Sequence, residues 1–187
     1  MRTFKLQVQT TLDGFMGGPN GELDWVTVPW SDDLTAYVTA LDDPVDTIVL
    51  GRKLAEGFIP AWQAGPEGET QESIDQMNNT PKVVISDTLT ESPWEGVRVA
   101  GGDLAEIVAG LKSEPGGDII AYGGSTLVTS LIAGGLLDEL HLLVNPAAIG
   151  SGLPVFPDTE TYGRYRLVGA RSFDCGIAAL HLEPNRA

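Results

Sequence analysis

A chain of 187 residues is long enough for one sizeable core and short for two, so a single domain over residues 1–187 is expected. Hydrophobic residues make up 42% and charged residues 20%, a balance that excludes an intrinsically disordered or membrane-embedded chain. Eleven Lys and Arg against 26 Asp and Glu leave a formal charge of −15, which argues against nucleic acid as a partner, whereas a small anionic cofactor stays compatible because salt screens the global field beyond about 8 Å.

The N-terminus alternates Phe4, Leu6 and Val8 with Lys5, Gln7 and Gln9, the period of a strand with one polar face. It lacks the apolar run of a signal peptide, and no segment approaches the roughly 18 apolar residues of a membrane span. The single cysteine, Cys175, rules out an intrachain disulfide, so the default expectation is a cytoplasmic protein with no membrane partner. Thr10-Thr11-Leu12-Asp13-Gly14 then leaves the strand through a turn that sets a carboxylate, Asp13, beside the glycine-rich loop of Gly17, Gly18 and Gly21.

Ser31 is placed to cap a helix over Asp32 to Leu41, with Asp32 and Asp33 in the first turn complementing the dipole and Leu34, Tyr37, Val38 and Leu41 on one face. Asp42-Asp43-Pro44 ends it, because proline disfavours helical geometry in the residue before it. Thr47 to Leu50 reads as a buried β-branched strand, followed at once by Gly51-Arg52-Lys53 and the helical Leu54-Ala55-Glu56, a junction able to hold a phosphate with charge-assisted donors. Pro60 to Pro81 reads as a long surface excursion with one short helix near Gln71 to Asn78.

Lys82 to Ile85 is a third strand, ending at Ser86-Asp87, and Val97 to Val99 a fourth. Asp103 with Glu106 opens an amphipathic helix through Leu104, Ile107, Val108 and Leu111. The stretch DIIAYGGSTLVT over 118–129 runs from an apolar strand through Gly123-Gly124 into a helix beginning at Ser125-Thr126-Leu127, which Gly134-Gly135 stops. Unpaired N–H groups at such a helix start favour an anion without any basic side chain. A strand over Glu139 to Val144, the turn Ile149 to Pro154, and an antiparallel pair over Arg164 to Arg171 and Ile177 to Glu183 complete the chain. His141 and His181 each alternate with apolar residues and have no companion histidine at ligand spacing, so no metal is expected.

Strands alternating with helices imply a largely parallel sheet covered on both faces, with an antiparallel pair at one edge. The series TTLDGF, DTIVLGRK, VVISD and IAYGGSTLVTSLIAGGLLDELHLLVNPAAIGSGLPVF resembles the dihydrofolate reductase-like superfamily, nearest to the branch sharing the C-terminal reductase domain of riboflavin biosynthesis. That resemblance implies a three-layer αβα fold with a mixed, mainly parallel central sheet and an antiparallel C-terminal hairpin. It implies NADPH, with NADH as the alternative, held by Gly51, Arg52, Lys53, Ser86, Gly123, Gly124, Ser125, Thr126 and Leu127. Asp13 matches the loop carboxylate of the riboflavin branch and Asp33 the helix-start acid of the folate enzymes, which makes them the candidate catalytic residues. Tyr122 departs from the acidic residue that riboflavin reductases carry before the glycines. The function implied is hydride transfer to a small pterin-, pyrimidine- or carbonyl-type substrate, the alternative being a non-catalytic nucleotide-binding or regulatory module on the same fold. Homodimers are common among the relatives, so the resemblance admits a homodimer, while the sequence by itself does not set the oligomeric state.

Overall fold

Residues two apart on a strand share a face, and the apolar runs at Ile48–Leu50, Val83–Val84 and Ile119–Ala121 are apolar on both faces, which suits strands covered on each side by helices. The computed structural model describes residues 1–156, 158 and 163–185. Its strands are β1 (Phe4–Thr10), β2 (Phe15–Gly17), β3 (Val45–Gly51), β4 (Lys82–Ile85), β5 (Val97–Ala100), β6 (Asp118–Ala121), β7 (Glu139–Val144), β8 (Leu153–Pro154), β9 (Tyr165–Ser172) and β10 (Ala178–Pro184). The helices are α1 (Asp32–Asp42), α2 (Arg52–Ala64), α3 (Gln71–Asn79), α4 (Leu104–Ser113) and α5 (Ser125–Ala133).

Eight strands form one sheet in the order β5-β4-β3-β6-β1-β7-β10-β9, and β2 with β8 makes a small separate ribbon. Neighbours from β5 to β7 pair in parallel, while β10 runs antiparallel to both β7 and β9. The mainly parallel sheet with an antiparallel C-terminal hairpin is the architecture expected from the sequence. On one face, Phe4, Leu6, Val8, Ile119, Ala121, Leu140 and Leu142 pack against Val108 and Leu111 of α4 and Leu127, Val128 and Leu131 of α5. On the other, Ile48, Leu50, Val84 and Ile120 pack against Ala55 and Ile59 of α2, and Leu143 and Ala179 pack against Leu34 of α1. The three layers follow from this division.

Lys5 and Gln7 of the central strand β1 are buried, although both are polar. They lie between the α1 and α2 clusters, where Lys5 Nζ meets Asp118 Oδ2 at 2.6 Å. A buried cation is tolerated there because it is paired.

Two segments differ from the sequence expectation. Helix α2 runs through Pro60 to Ala64 before Gly65, with φ +74, ends it. An internal proline costs a helix about 3 kcal/mol, but Phe58 and Ile59 just before it pack on the β3 and β4 side chains. Their burial holds the helix together, and the surface excursion starts only at Gly65. The β2–β8 ribbon was also unforeseen, since strands of three and two residues carry too little periodicity to be read.

Candidate functional site

Parallel strands end on one rim, and their order sets what can meet there. In spatial order the C-terminal ends bring Gly101 after β5, Ser86 after β4, Gly51 of β3, Tyr122-Gly123 after β6, Thr11 after β1 and Asn145 after β7 into a row. In open parallel sheets this rim is where ligands bind.

At its middle two helix starts touch. Gly123 has φ +140 and Gly124 φ +87, conformations L side chains rarely adopt, so glycine is required for the turn into α5. A Cβ on Gly124 would lie 3.9 Å from Gly51 Cα, and one on Gly51 would lie 3.5 Å from Leu127 Cβ. Neither Gly51 nor Gly124, the N-caps of α2 and α5, has a side chain to accept from the first turn. Helices α3 and α4 differ: Thr70 accepts from the Ser73 N–H at 3.1 Å and Asp103 from the Glu106 N–H at 2.9 Å. The starts of α2 and α5 therefore leave backbone donors, and the positive ends of two dipoles, facing the rim.

The side chains predicted to join this cradle divide. Arg52 is at the start of α2 but its guanidinium pairs with Glu56 at 2.6 Å, while Lys53 is exposed with no ion pair among the described residues. The Ser125 hydroxyl donates to the Pro154 carbonyl at 3.2 Å, tying α5 to the small ribbon, and Thr126 is exposed. The Leu127 side chain is core, so only its backbone reaches the rim. The Ser86 hydroxyl is buried and accepts from the Thr88 and Leu89 N–H groups at 3.2 and 3.1 Å.

Asp13 and Asp33 are bonded to different loops. Asp13 accepts from the Thr11 hydroxyl at 2.6 Å and from the Ile149 and Gly150 N–H groups at 3.1 and 2.7 Å. The Thr11 bond first, then the Gly150 amide, holds its carboxyl below the ordinary range, so it is an ionised acceptor that ties the Ile149-Gly150 turn to β1. Asp33 accepts from the Ser31 hydroxyl at 2.6 Å and the Asp174 N–H at 3.3 Å, which places it at the β9–β10 turn. Its carboxyl is likewise held low, chiefly by Ser31.

A depression of about 910 Å³ opens at the opposite rim, lined by Arg2, Lys112, Glu114 and Asp118 among others. Arg2 is already paired with Asp46 and Glu114 and Lys112 with Asp138, and the helix that reaches it through Ala105, α4, is already capped by Asp103. The strand C-terminal rim is the better candidate.

The family of the RibD C-terminal domain matches residues 2–179. The chain belongs to that family. It is 31% identical over 180 residues to the uncharacterized protein YyaP of Bacillus subtilis, covering 96% of this chain and 93% of that one. Among solved structures, a putative riboflavin biosynthesis protein from Shewanella sp. PV-4 superposes with a TM-score of 0.78 at 22% identity, over 98% of this chain and 99% of the other. Dihydrofolate reductase from Enterococcus faecalis, complexed with NADP(H), superposes with a TM-score of 0.60 at 19% identity, over 98% and 97%. These likenesses establish the dihydrofolate reductase-like fold, a reductase-type fold.

In this RibD C-terminal domain the sequence gives no signal for Met16 or Gln9 and none for the contacts of Tyr122, His141 and His181. Met16 of β2 lies over the glycine turn, its Cε 3.2 Å from where a Gly123 Cβ would stand. Gln9, the penultimate residue of β1 toward the rim, has its Oε1 bonded by Asn145 Nδ2 at 2.7 Å, while its Nε2 is buried without a partner. Tyr122 stacks on Phe58 at 5.9 Å and hydrogen-bonds Asp42, whose carboxyl burial raises to about 6. His141 and His181, far apart in sequence, are direct cross-strand partners on β7 and β10. The unpaired Gln9 amide and the histidine pair depend on register and packing, which no local spacing reports.

Proposed function

We propose that the chain is an NAD(P)H-dependent reductase of a small pterin-, pyrimidine- or carbonyl-type substrate. The observation that carries this reading is the contact between the two uncapped helix starts at Gly51 and Gly124, on the adjacent strands β3 and β6. Two positive helix ends and a side-chain-free floor suit a pyrophosphate, and family membership supports a reductase. The bound dinucleotide would supply the hydride.

The chain's own residues then have separable tasks. Backbone N–H groups from Gly124 to Leu127 and from Arg52 to Lys53 hold phosphate oxygens, with Lys53, which has no ion pair among the described residues, as a cation for a further phosphate. Met16 covers the glycine turn and limits water there. Gln9 Nε2 offers a buried donor to a substrate carbonyl, the group a pterin or pyrimidine presents; satisfying it is favourable because an unpaired buried amide costs about 1–3 kcal/mol. Asp13, kept ionised by its donors, positions the Ile149-Gly150 turn and orders water as the proton route rather than carrying a proton itself.

One observation favours the non-catalytic alternative: Asp13 and Asp33 are both held ionised, so neither is poised as an acid at neutral pH. Titrating the purified chain with NADPH and NADH by thermal shift, then following NADPH oxidation with a pterin, pyrimidine and quinone panel, separates the readings. Binding with turnover that falls in Asp13→Asn, as the loss of an ionised acceptor that holds the turn and orders water would produce, supports the reductase. Binding without turnover supports the alternative, and no binding of either dinucleotide refutes both.

A further inference from the structure

On the face of the sheet beneath α1, the β7–β10 register sets His141 directly opposite His181, and Glu139 lies on the same face of β7 one pleat earlier. Glu139 Oε2 is 3.0 Å from His141 Nε2 and 3.4 Å from His181 Nε2. One ligand atom from each of the three residues can be chosen so that all lie within 4.8 Å of one another. Among the described residues no other group of three histidine, cysteine or carboxylate side chains comes so close.

We propose that Glu139, His141 and His181 form a binding site for a divalent transition-metal ion of the zinc class. Zinc takes imidazole nitrogen and carboxylate oxygen at about 2.0–2.2 Å in a tetrahedron, whose edges are then about 3.3–3.5 Å. The His181 separation of 3.4 Å falls on that edge, and the His141 separation of 3.0 Å, a hydrogen-bond distance, is short of it. The orphaned atom is the second observation. His181 Nε2 is buried and has no hydrogen-bond partner, although it faces the carboxylate oxygen. A buried imidazole nitrogen without a partner is costly, and a cation shared with Glu139 satisfies it.

The surroundings fit the ion. The Tyr37 hydroxyl oxygen lies 3.3 Å from His141 Nδ1 and can accept from an Nδ1–H, the tautomer in which the Nε2 lone pair, now 3.0 Å from Glu139 Oε2, is available to an ion. Lys5, the nearby cation, is already bound to Asp118. Glu139 and His181 are each about a quarter exposed at the side chain, so an ion can enter and a fourth position stays open to water. The two rings stack at 4.2 Å and 20°, and in-plane lone pairs of near-parallel rings do not converge. Metal binding therefore turns the His181 ring, the more exposed of the two, out of the stack so that its lone pair and that of His141 converge on one ion. The site lies mid-sheet under α1, apart from the rim glycines, so it stands or falls independently of the reductase reading.

The test uses the untagged full chain, stripped with a chelator and titrated with zinc sulfate against a chromophoric zinc indicator, with cobalt(II) as a spectroscopic substitute. The expected result is one ion per chain, the visible bands of four-coordinate cobalt, and a melting temperature that rises with zinc. His181→Asn and Glu139→Gln, both partly exposed and checked for folding by circular dichroism, abolish stoichiometric binding, and Tyr37→Phe weakens it roughly 10–100-fold. Failure of the folded wild-type chain to bind zinc overturns the proposal. So does binding that survives in His181→Asn, or binding that disappears in Cys175→Ser.

Discussion

Asp42 offers a sharp test of how the interior is built. It ends α1 beneath the glycine turn, with one carboxylate oxygen buried and unpartnered and a hydrogen bond from the Tyr122 phenol. Burial raises its pKa from 3.8 to about 6, against the smaller opposing effects of Tyr122 and Lys5. The folded chain thus binds this proton more tightly than the unfolded chain does. The associated stability is fully present below about pH 4 and is lost as pH rises through about 6. At about 1.4 kcal/mol per pH unit, the difference amounts to roughly 3 kcal/mol.

Asp42→Asn removes the charge while keeping the shape and an acceptor for Tyr122. It is expected to stabilise the protein at pH 8 by about 1–3 kcal/mol, which for a chain of this size raises the melting temperature by roughly 2–12 °C. At pH 4 that gain is absent. Carboxylates of the opposite kind, such as Glu139, held low first by its bond to His141, lose their contribution as pH falls, so the wild-type profile alone is not diagnostic. The difference between variant and wild type in urea melts at pH 4 and pH 8 isolates Asp42. An Asn variant whose stability relative to wild type is the same at both pH values would refute the assignment of a raised Asp42 pKa.

Two further outcomes follow from single contacts. Gly124→Ala meets only ordinary van der Waals neighbours but forces φ +87 on an L residue, so thermal melts should show a loss of about 1–3 kcal/mol, and dinucleotide binding should weaken as the turn distorts. The Lys82 ammonium is buried and donates to the carbonyl oxygens of Met77, Asn78 and Thr80 at the end of α3; Lys82→Met should cost roughly 1–3 kcal/mol in urea unfolding, through carbonyls left without a donor.

Local chemistry in the sequence determined a large part of this protein. β-Branched apolar runs ending in glycine or serine marked the strands and their ends, and the Asp103 cap and Gly135 stop marked helix limits, because these signals depend on residues within one turn of each other. The order of those strand ends carries the family resemblance and points to Gly51 and Gly123–Gly124. Tertiary structure decided what those residues are free to do. Arg52 and Ser125 are engaged with Glu56 and Pro154, the Ser86 hydroxyl is used by its own turn, and Asp13 and Asp33 serve different loops. Helix α2 continues through Pro60 because the burial of Phe58 and Ile59 outweighs a local penalty. The histidines join only because β10 turns back antiparallel beside β7, a register set by long-range strand pairing that no neighbouring residue encodes.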